Sequence, residues 1–385
     1  MINRITIMAT VTTRTWTNPK TGKTSKRYVL GYADRSGKWC RHQFKTAARA
    51  NAERVRIESE LATGVHVPDR ESITVGAAID AWLADYQLLV DAGKRERATI
   101  TGYHGVVAHI KAGDITELRI SRLTGPDVTA FARWLENYRT EDQGRRAMKV
   151  LRLVLDYAIG RGWCAVNIAK AIGVRTAGDR HDEHVEIPPK QDLQNLLATA
   201  REAGPRESAI IHTLLFLGLR ASEMLGQRHD DTDRNECRVR QRVDQFGKIG
   251  VPKSKKGRRA IPMPPGAWRA IAEWKLRAPK SARGLLYGNG AGNPERYANI
   301  WNRTWAPLMT AAGLVDDDGR PRFGLHALRH ACISLWIEQN ISPKKVSEWA
   351  GHSSVAFTLD TYGHLWKSAA TDSQIAAASE AALYK

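Results

Sequence analysis

Hydrophobic periodicity changes once along this chain, and that change limits the folds open to it. Between Val11 and Phe44 apolar and polar residues alternate in three runs, Val11–Trp16, Arg27–Tyr32 and Lys38–Phe44, as strands do. The runs are separated by Asn18-Pro19-Lys20-Thr21-Gly22 and Asp34-Arg35-Ser36-Gly37, both rich in turn-formers. Thr46 then reads as the N-cap of a helix over Ala47–Ala62 that ends at Gly64. From there on the spacing is helical. Thr74 caps Val75–Leu89, with Ala78, Trp82, Leu83 and Tyr86 on one face, and further helices are expected near Thr99–Ala112, Pro126–Tyr138 and Thr140–Gly160. In the last of these Met148, Leu151, Leu155 and Ala158 form a stripe that reads as core. Val174–Glu186 is polar and aperiodic, the candidate linker. Ile187-Pro188-Pro189 opens a third segment of several helices and one hairpin-like stretch, Arg238–Pro262. The expectation is a multidomain, mainly α chain. A small module of three strands and a helix spans 1–68, a helical domain 72–175, a linker 176–186 and an α+β domain 187–385.

Charge narrows the partners. The chain has 385 residues with 59 Lys and Arg against 40 Asp and Glu, a net charge of +19, and each of the three segments is itself positive. Several basic modules in series suit a polyanion, most often a nucleic acid. The longest apolar stretch, Ala209–Leu219, is interrupted by His212 and falls short of the ~20 residues a membrane span needs. The first residues lack the basic-then-apolar order of a secretion signal, so a cytoplasmic protein is expected. Cys40, Cys164, Cys237 and Cys332 lie far apart, a pattern that suits neither a disulfide framework nor a cysteine zinc site.

Three stretches of the last segment carry reactive side chains. In Leu217-Gly218-Leu219-Arg220-Ala221-Ser222-Glu223 an apolar helix ends at glycine, and Arg220 sits at the turn before the next helix, with Glu223 one turn on to orient it or cap that helix. The planar fork of an arginine there suits a phosphate. In His326-Ala327-Leu328-Arg329-His330-Ala331-Cys332, His326 and Arg329 share a helix face. His326 and His330 have the spacing of zinc-binding helices, but no glutamate lies between them and Arg329 repels a cation, so no metal is expected. In the third stretch Ser342-Pro343 opens a short helix that Gly351 closes, and His352 follows it. Ser353 or Ser354 caps the next helix, and Tyr362 lies ten residues beyond His352.

Arginine, His-x-x-Arg, Gly-His and tyrosine in that order within one basic domain closely resemble the tyrosine recombinase family, the phage-integrase type. The motifs fall within Leu214–His364, and the resemblance extends to the whole chain at the level of architecture. It implies an arm-type DNA-binding module, a helical core-binding domain and a catalytic domain. It implies a site-specific recombinase, an integrase that cuts and rejoins DNA through a 3′-phosphotyrosine and so integrates or excises a prophage or mobile element. The catalytic residues it implies are Arg220, Lys253, His326, Arg329, His352 and Tyr362. Lys253 is favoured as the hairpin lysine because Pro252-Lys253-Ser254 matches the family's strand position, and Lys255, one pleat repeat away, is its rival. No cofactor is implied, in keeping with the lack of a Walker motif. The implied partners are double-stranded DNA attachment sites, three further protomers in a tetramer on DNA, a directionality factor and a DNA-bending protein, in a nucleoid-associated setting. One departure is Asn167-Ile168-Ala169, where the family often has Asn-Pro. The two rivals are a type IB topoisomerase-like enzyme and a DNA-binding regulator without cleavage.

Overall fold

The computed structural model describes residues 9–17, 19, 21–34, 37–138, 140–173, 185–252, 255–280, 282–366, 377, 380 and 381. The chain divides into two compact units, Met1–Asp179 and Arg180–Lys385. Residues 176–184 of the expected linker lie outside the described residues.

The first unit begins with an antiparallel sheet of β1 (Thr10–Thr17), β2 (Thr24–Ala33) and β3 (Trp39–Phe44), in that order. Helix α1 (Ala47–Thr63) starts where Thr46 accepts the Arg49 N–H at 3.4 Å. It buries Ala50, Ile57 and Leu61, the last two in one core with Leu30 and Tyr32 of β2. Register sorts the faces. Val11, Leu30 and His42 are in register, so the helix side also takes Tyr28, which pairs with Thr13 and Phe44. Tyr28 therefore lies opposite Trp16 and Trp39 and does not share their face. The other side carries Arg14, Trp16, Arg27, Trp39 and Arg41, with Trp16 and Trp39 about half exposed and Arg27 5.9 Å from the Trp16 ring centre.

Helices α2 (Val75–Asp91), α3 (Arg97–Lys111), α4 (Gly125–Tyr138) and α5 (Glu141–Gly160) follow. Thr74 caps α2, and Thr140 and Gln143 form a capping box on α5. The expected stripe of α5 is core: Met148, Leu151, Leu155 and Ala158 are all buried in one cluster with Ile79 and Ile110. At Asn167-Ile168, Asn167 holds the turn: its Nδ2 donates to the Arg152 carbonyl at 2.8 Å and to Asp156 Oδ1 at 2.9 Å.

The second unit is built around α7 (Pro205–Leu217), which follows α6 (Lys190–Ala203). Ser208–Leu215 of α7 are buried without a break, as expected of a helix packed on all sides. After α8 (Ala221–Leu225) come β4 (Glu236–Val239), β5 (Arg242–Val243), β6 (Ile249–Gly250) and β7 (Arg259–Pro262). The hairpin-like stretch is a nested pair: β4 pairs with β7, and β5 with β6. The remaining helices are α9 (Pro265–Arg277), α10 (Tyr297–Ile300), α11 (Ala306–Ala311), α12 (Leu325–Glu338), α13 (Pro343–Ala350) and α14 (Val355–Tyr362). Among the described residues no helix is long and apolar enough to cross a membrane.

Candidate active site

Two close approaches assemble the pocket. Gly218 ends α7 at φ 57°, and a Cβ there would meet Cys332 Sγ at 3.1 Å, so α7 ends hard against α12. Gly351 ends α13 at φ 66°, and a Cβ there would meet the Arg259 guanidinium at 2.9 Å. Both positions need the left-handed backbone and the missing side chain.

Arg220 leads into α8. Its Nη1 donates to Glu223 Oε1 at 2.8 Å, its backbone N–H donates to Glu223 Oε2 at 3.0 Å, and its Nη2 donates to the Gly351 carbonyl at 3.4 Å. Glu223 both orients the arginine and caps the helix. It is buried and also receives Nη1 and Nη2 of Arg259, at 3.1 and 2.9 Å, while Arg259 Nε donates to the Trp349 carbonyl at 2.6 Å. Burial pushes the Glu223 carboxyl up, but the hydrogen bonds and charge of Arg259, with Arg220, outweigh it and hold the pKa at about 2. Arg259, on β7, thus ties the α8 turn to the α13–α14 turn.

Arg329 is 2 % exposed; its Nη1 and Nη2 donate at 2.5 Å to the Gly218 and Ala350 carbonyls. Burial, then the Arg220 charge, pull its pKa down to about 9, so it stays cationic at neutral pH. Arg220, whose side chain is 39 % exposed, marks the open side of the pocket.

The histidines and the tyrosine close it. His352 is buried and its Nδ1 lies 2.8 Å from Thr358 Oγ1. Its ring stacks parallel on that of Tyr362, with centroids 6.2 Å apart. Burial and then the Arg329 and Arg220 charges pull its pKa down to about 3. Tyr362, at the end of α14, is 2 % exposed, and its phenol lies 2.5 Å from His330 Nδ1. Burial pushes the phenol up to about 12 against the pull of Arg329 and Arg220. His326 is exposed and meets the His330 ring edge-on, with centroids 4.7 Å apart. Crowding by the protein, then Arg329 and Arg220, pull the His326 pKa down, though its contact with solvent limits that shift.

Arg220, His326, Arg329, His352 and Tyr362 therefore lie in one pocket. Lys253 lies outside the described residues, and the backbone of its rival opens a single 3-10 turn, Lys255–Gly257. Two residues of the pocket were assigned no role from sequence. His330 belongs to a motif but reads as a mere neighbour of Arg329, whereas its i, i+4 relation to His326 was the signal that it shares a face. Arg259 lies among four other basic residues in 253–259, and nothing local distinguishes it. Among the described residues no cluster of His, Cys, Asp and Glu has the makings of a metal site.

The Phage integrase family pattern matches residues 189–368. The chain is 23 % identical over 380 residues to a tyrosine recombinase XerC-like protein of Caldanaerobacter subterraneus subsp. tengcongensis, covering 90 % of this chain and 94 % of that protein. It is 28 % identical over 164 residues to the transposase from transposon Tn916 of Enterococcus faecalis, covering 39 % of this chain and 40 % of that one. Among solved structures it is similar to the Tn1549 transposon integrase in complex with a circular intermediate DNA. That match has a TM-score of 0.65 at 19 % identity and covers 80 % of this chain and 99 % of that one. It is also similar to a lambda integrase dimer bound to a COC′ core site, with a TM-score of 0.58 at 17 % identity, covering 93 % and 97 %. At such identities these structural likenesses speak to the fold.

Proposed function

This chain belongs to the tyrosine recombinase family, and from that premise we propose how its own residues carry out strand exchange. It is an enzyme, a site-specific recombinase that cleaves and rejoins DNA strands. A phosphodiester is anionic and resists nucleophiles, so the pocket has to supply cations where charge grows. Arg220 and Arg329 bind the nonbridging oxygens of the scissile phosphate and hold them more tightly as the pentacoordinate transition state gathers charge. His352 adds a hydrogen bond to the same group, and His326 assists proton movement at the open side. Tyr362 attacks phosphorus, and the 5′-oxygen leaves with a proton from Lys253, or from Lys255 in its place. The 3′-phosphotyrosine keeps the phosphodiester energy, so religation to another strand needs no nucleotide hydrolysis. Arg259 is a positioning residue acting through Glu223 on Arg220.

The observation that carries this reading is the meeting of Arg220, His326, Arg329 and His352 in one pocket with the Tyr362 phenol, two of them guanidinium groups that act electrostatically on it. The arginine and tryptophan face of the sheet suits an arm-type DNA contact, residues 72–175 the core-binding role, and residues 187–385 catalysis. The neighbours include a lambda integrase tetramer bound to a Holliday junction. By that analogy four protomers act together on paired attachment sites of an integrating element, in a cytoplasmic setting with a directionality factor and a DNA-bending protein. The test is recombination of two candidate sites flanking the gene. Joined products support the integrase, relaxation of single plasmids without joining supports the topoisomerase, and binding without any covalent adduct supports the regulator.

A further inference from the structure

The phenol of Tyr362 makes one hydrogen bond among the described residues, and none of the roles above uses it: its partner is His330 Nδ1 at 2.5 Å. We propose that His330 is the general base that takes the phenolic proton as Tyr362 attacks, an assignment that rests on the reading of Tyr362 as nucleophile.

The need for a base is plain. Burial pushes the phenol up to about 12, so a free phenolate is scarce at neutral pH, and a positioned acceptor contributes about 10²–10⁴ in rate. Other groups around the ring are less suited. Arg220 and Arg329 are donors without an acceptor atom. His352 runs parallel to the tyrosine ring with centroids 6.2 Å apart and engages Thr358 through Nδ1. His326 meets the His330 ring edge-on and makes no hydrogen bond to the phenol among the described residues.

His330 is also in the protonation state a base requires. Burial, then His326 and Arg329, pull its pKa down to about 4, which leaves a neutral imidazole; in the tautomer this step requires, Nε2 carries the hydrogen and Nδ1 accepts from the phenol. An incoming phosphate neutralises part of the Arg220 and Arg329 field and so raises the basicity of that nitrogen when substrate is bound. In the balanced step the Tyr362 Oη–P bond forms as its proton passes to His330 Nδ1. The P–O5′ bond breaks with its electron pair on O5′, and the hairpin lysine supplies the proton that makes the 5′-hydroxyl. Religation reverses each transfer, with His330 returning its proton to the phenolate. Exposed His326 lies next in line toward solvent.

The experiment is single-turnover formation of the covalent adduct on a nicked suicide substrate, with wild type, His330→Gln, His330→Ala and Tyr362→Phe. Both His330 variants are expected to bind the DNA within threefold of wild type and to form adduct about 100-fold more slowly. Added imidazole is expected to restore part of the His330→Ala rate. The deficit should persist on a 5′-bridging phosphorothiolate substrate, whose leaving group needs no proton. Glutamine keeps a hydrogen bond to the phenol but is no base at neutral pH. A His330→Gln rate within threefold of wild type would therefore reduce His330 to a positioning residue and overturn the proposal. Full recovery on the phosphorothiolate would overturn it too, by moving His330 to the leaving-group end. Because glutamine nearly matches histidine in volume, it carries the measurement if the alanine variant binds poorly. Peptide mapping of the wild-type adduct tests the nucleophile separately: an adduct on a residue other than Tyr362 removes that reading whatever the His330 variants do.

Discussion

Glu223 is held between two guanidinium groups and has almost no contact with water. Replacing it with glutamine leaves Arg259 buried without its counter-charge, and losing one partner of a buried pair costs about 3–5 kcal/mol. Urea unfolding of Glu223→Gln should show a loss of that order; a change under about 0.5 kcal/mol would show that the carboxylate is not what holds the two turns. The same residues set a pH dependence. The folded pKa of Glu223, about 2, lies below its ordinary 4.5, and those of His330 and His352, about 4 and 3, lie below 6.5. For each, the unfolded chain takes up protons that the fold refuses, so stability rises with pH through these windows. It should begin to fall as pH drops below 6.5, where the histidines of the unfolded chain charge, and fall again below 4.5. Unfolding midpoints at pH 7, 5.5 and 4 should decline in that order, and a flat profile would contradict the buried neutral histidines. For Arg220→Ala the expectation is a loss of about 10²–10³ in cleavage with much smaller loss of DNA binding, read from adduct formation beside gel shifts.

At the scale of elements, the turn at Gly351 is the most constrained joint of the pocket. Gly351→Ala adds both a left-handed non-glycine residue, at about 1–2 kcal/mol, and a Cβ 2.9 Å from the Arg259 guanidinium. Lower unfolding stability and slower cleavage should appear together; wild-type behaviour in both would mean that the turn relaxes freely. Much of this joint was legible in the sequence, because Ser342, Gly351 and the Ser353-Ser354 pair are strong local signals: Ser342 and, of the pair, Ser354 accept the Lys345 and Phe357 N–H groups. The nested pairing of β4 with β7 was not legible. Strands of two and four residues carry too short an alternation to fix partners, and Arg238–Pro262 reads only as hairpin-like. The π-helical turn Trp301–Trp305 was hidden as well. Pro307 lacks the N–H that would meet the Arg303 carbonyl, and buried Trp305, which donates to the Phe323 carbonyl at 2.9 Å, settles the local geometry from a distance. The gathering of Arg220, Arg329, His352 and Tyr362 rests on motif order. Arg259 gave no sign in the sequence because its partners, Glu223 and the Trp349 carbonyl, are 36 and 90 residues away.

For the whole molecule, the net charge of +19 is spread over segments that each have a DNA-facing role in the account above. Binding should weaken steeply with salt, since every neutralised phosphate releases counterions. Replacing Arg14, Arg27 and Arg41 together with alanine should lower the slope of log affinity against log salt by about 3 on DNA carrying arm sites. An unchanged slope would remove the arm-type role from that face. The chemistry, by contrast, is concentrated at one oxygen. The most direct measurement is mass spectrometry of the protease-digested adduct trapped on a suicide substrate, run beside Tyr362→Phe. A DNA 3′-phosphate on the peptide bearing Tyr362, with no adduct from the phenylalanine variant, is the predicted result. An adduct on any other residue, or one that survives the substitution, would contradict the account.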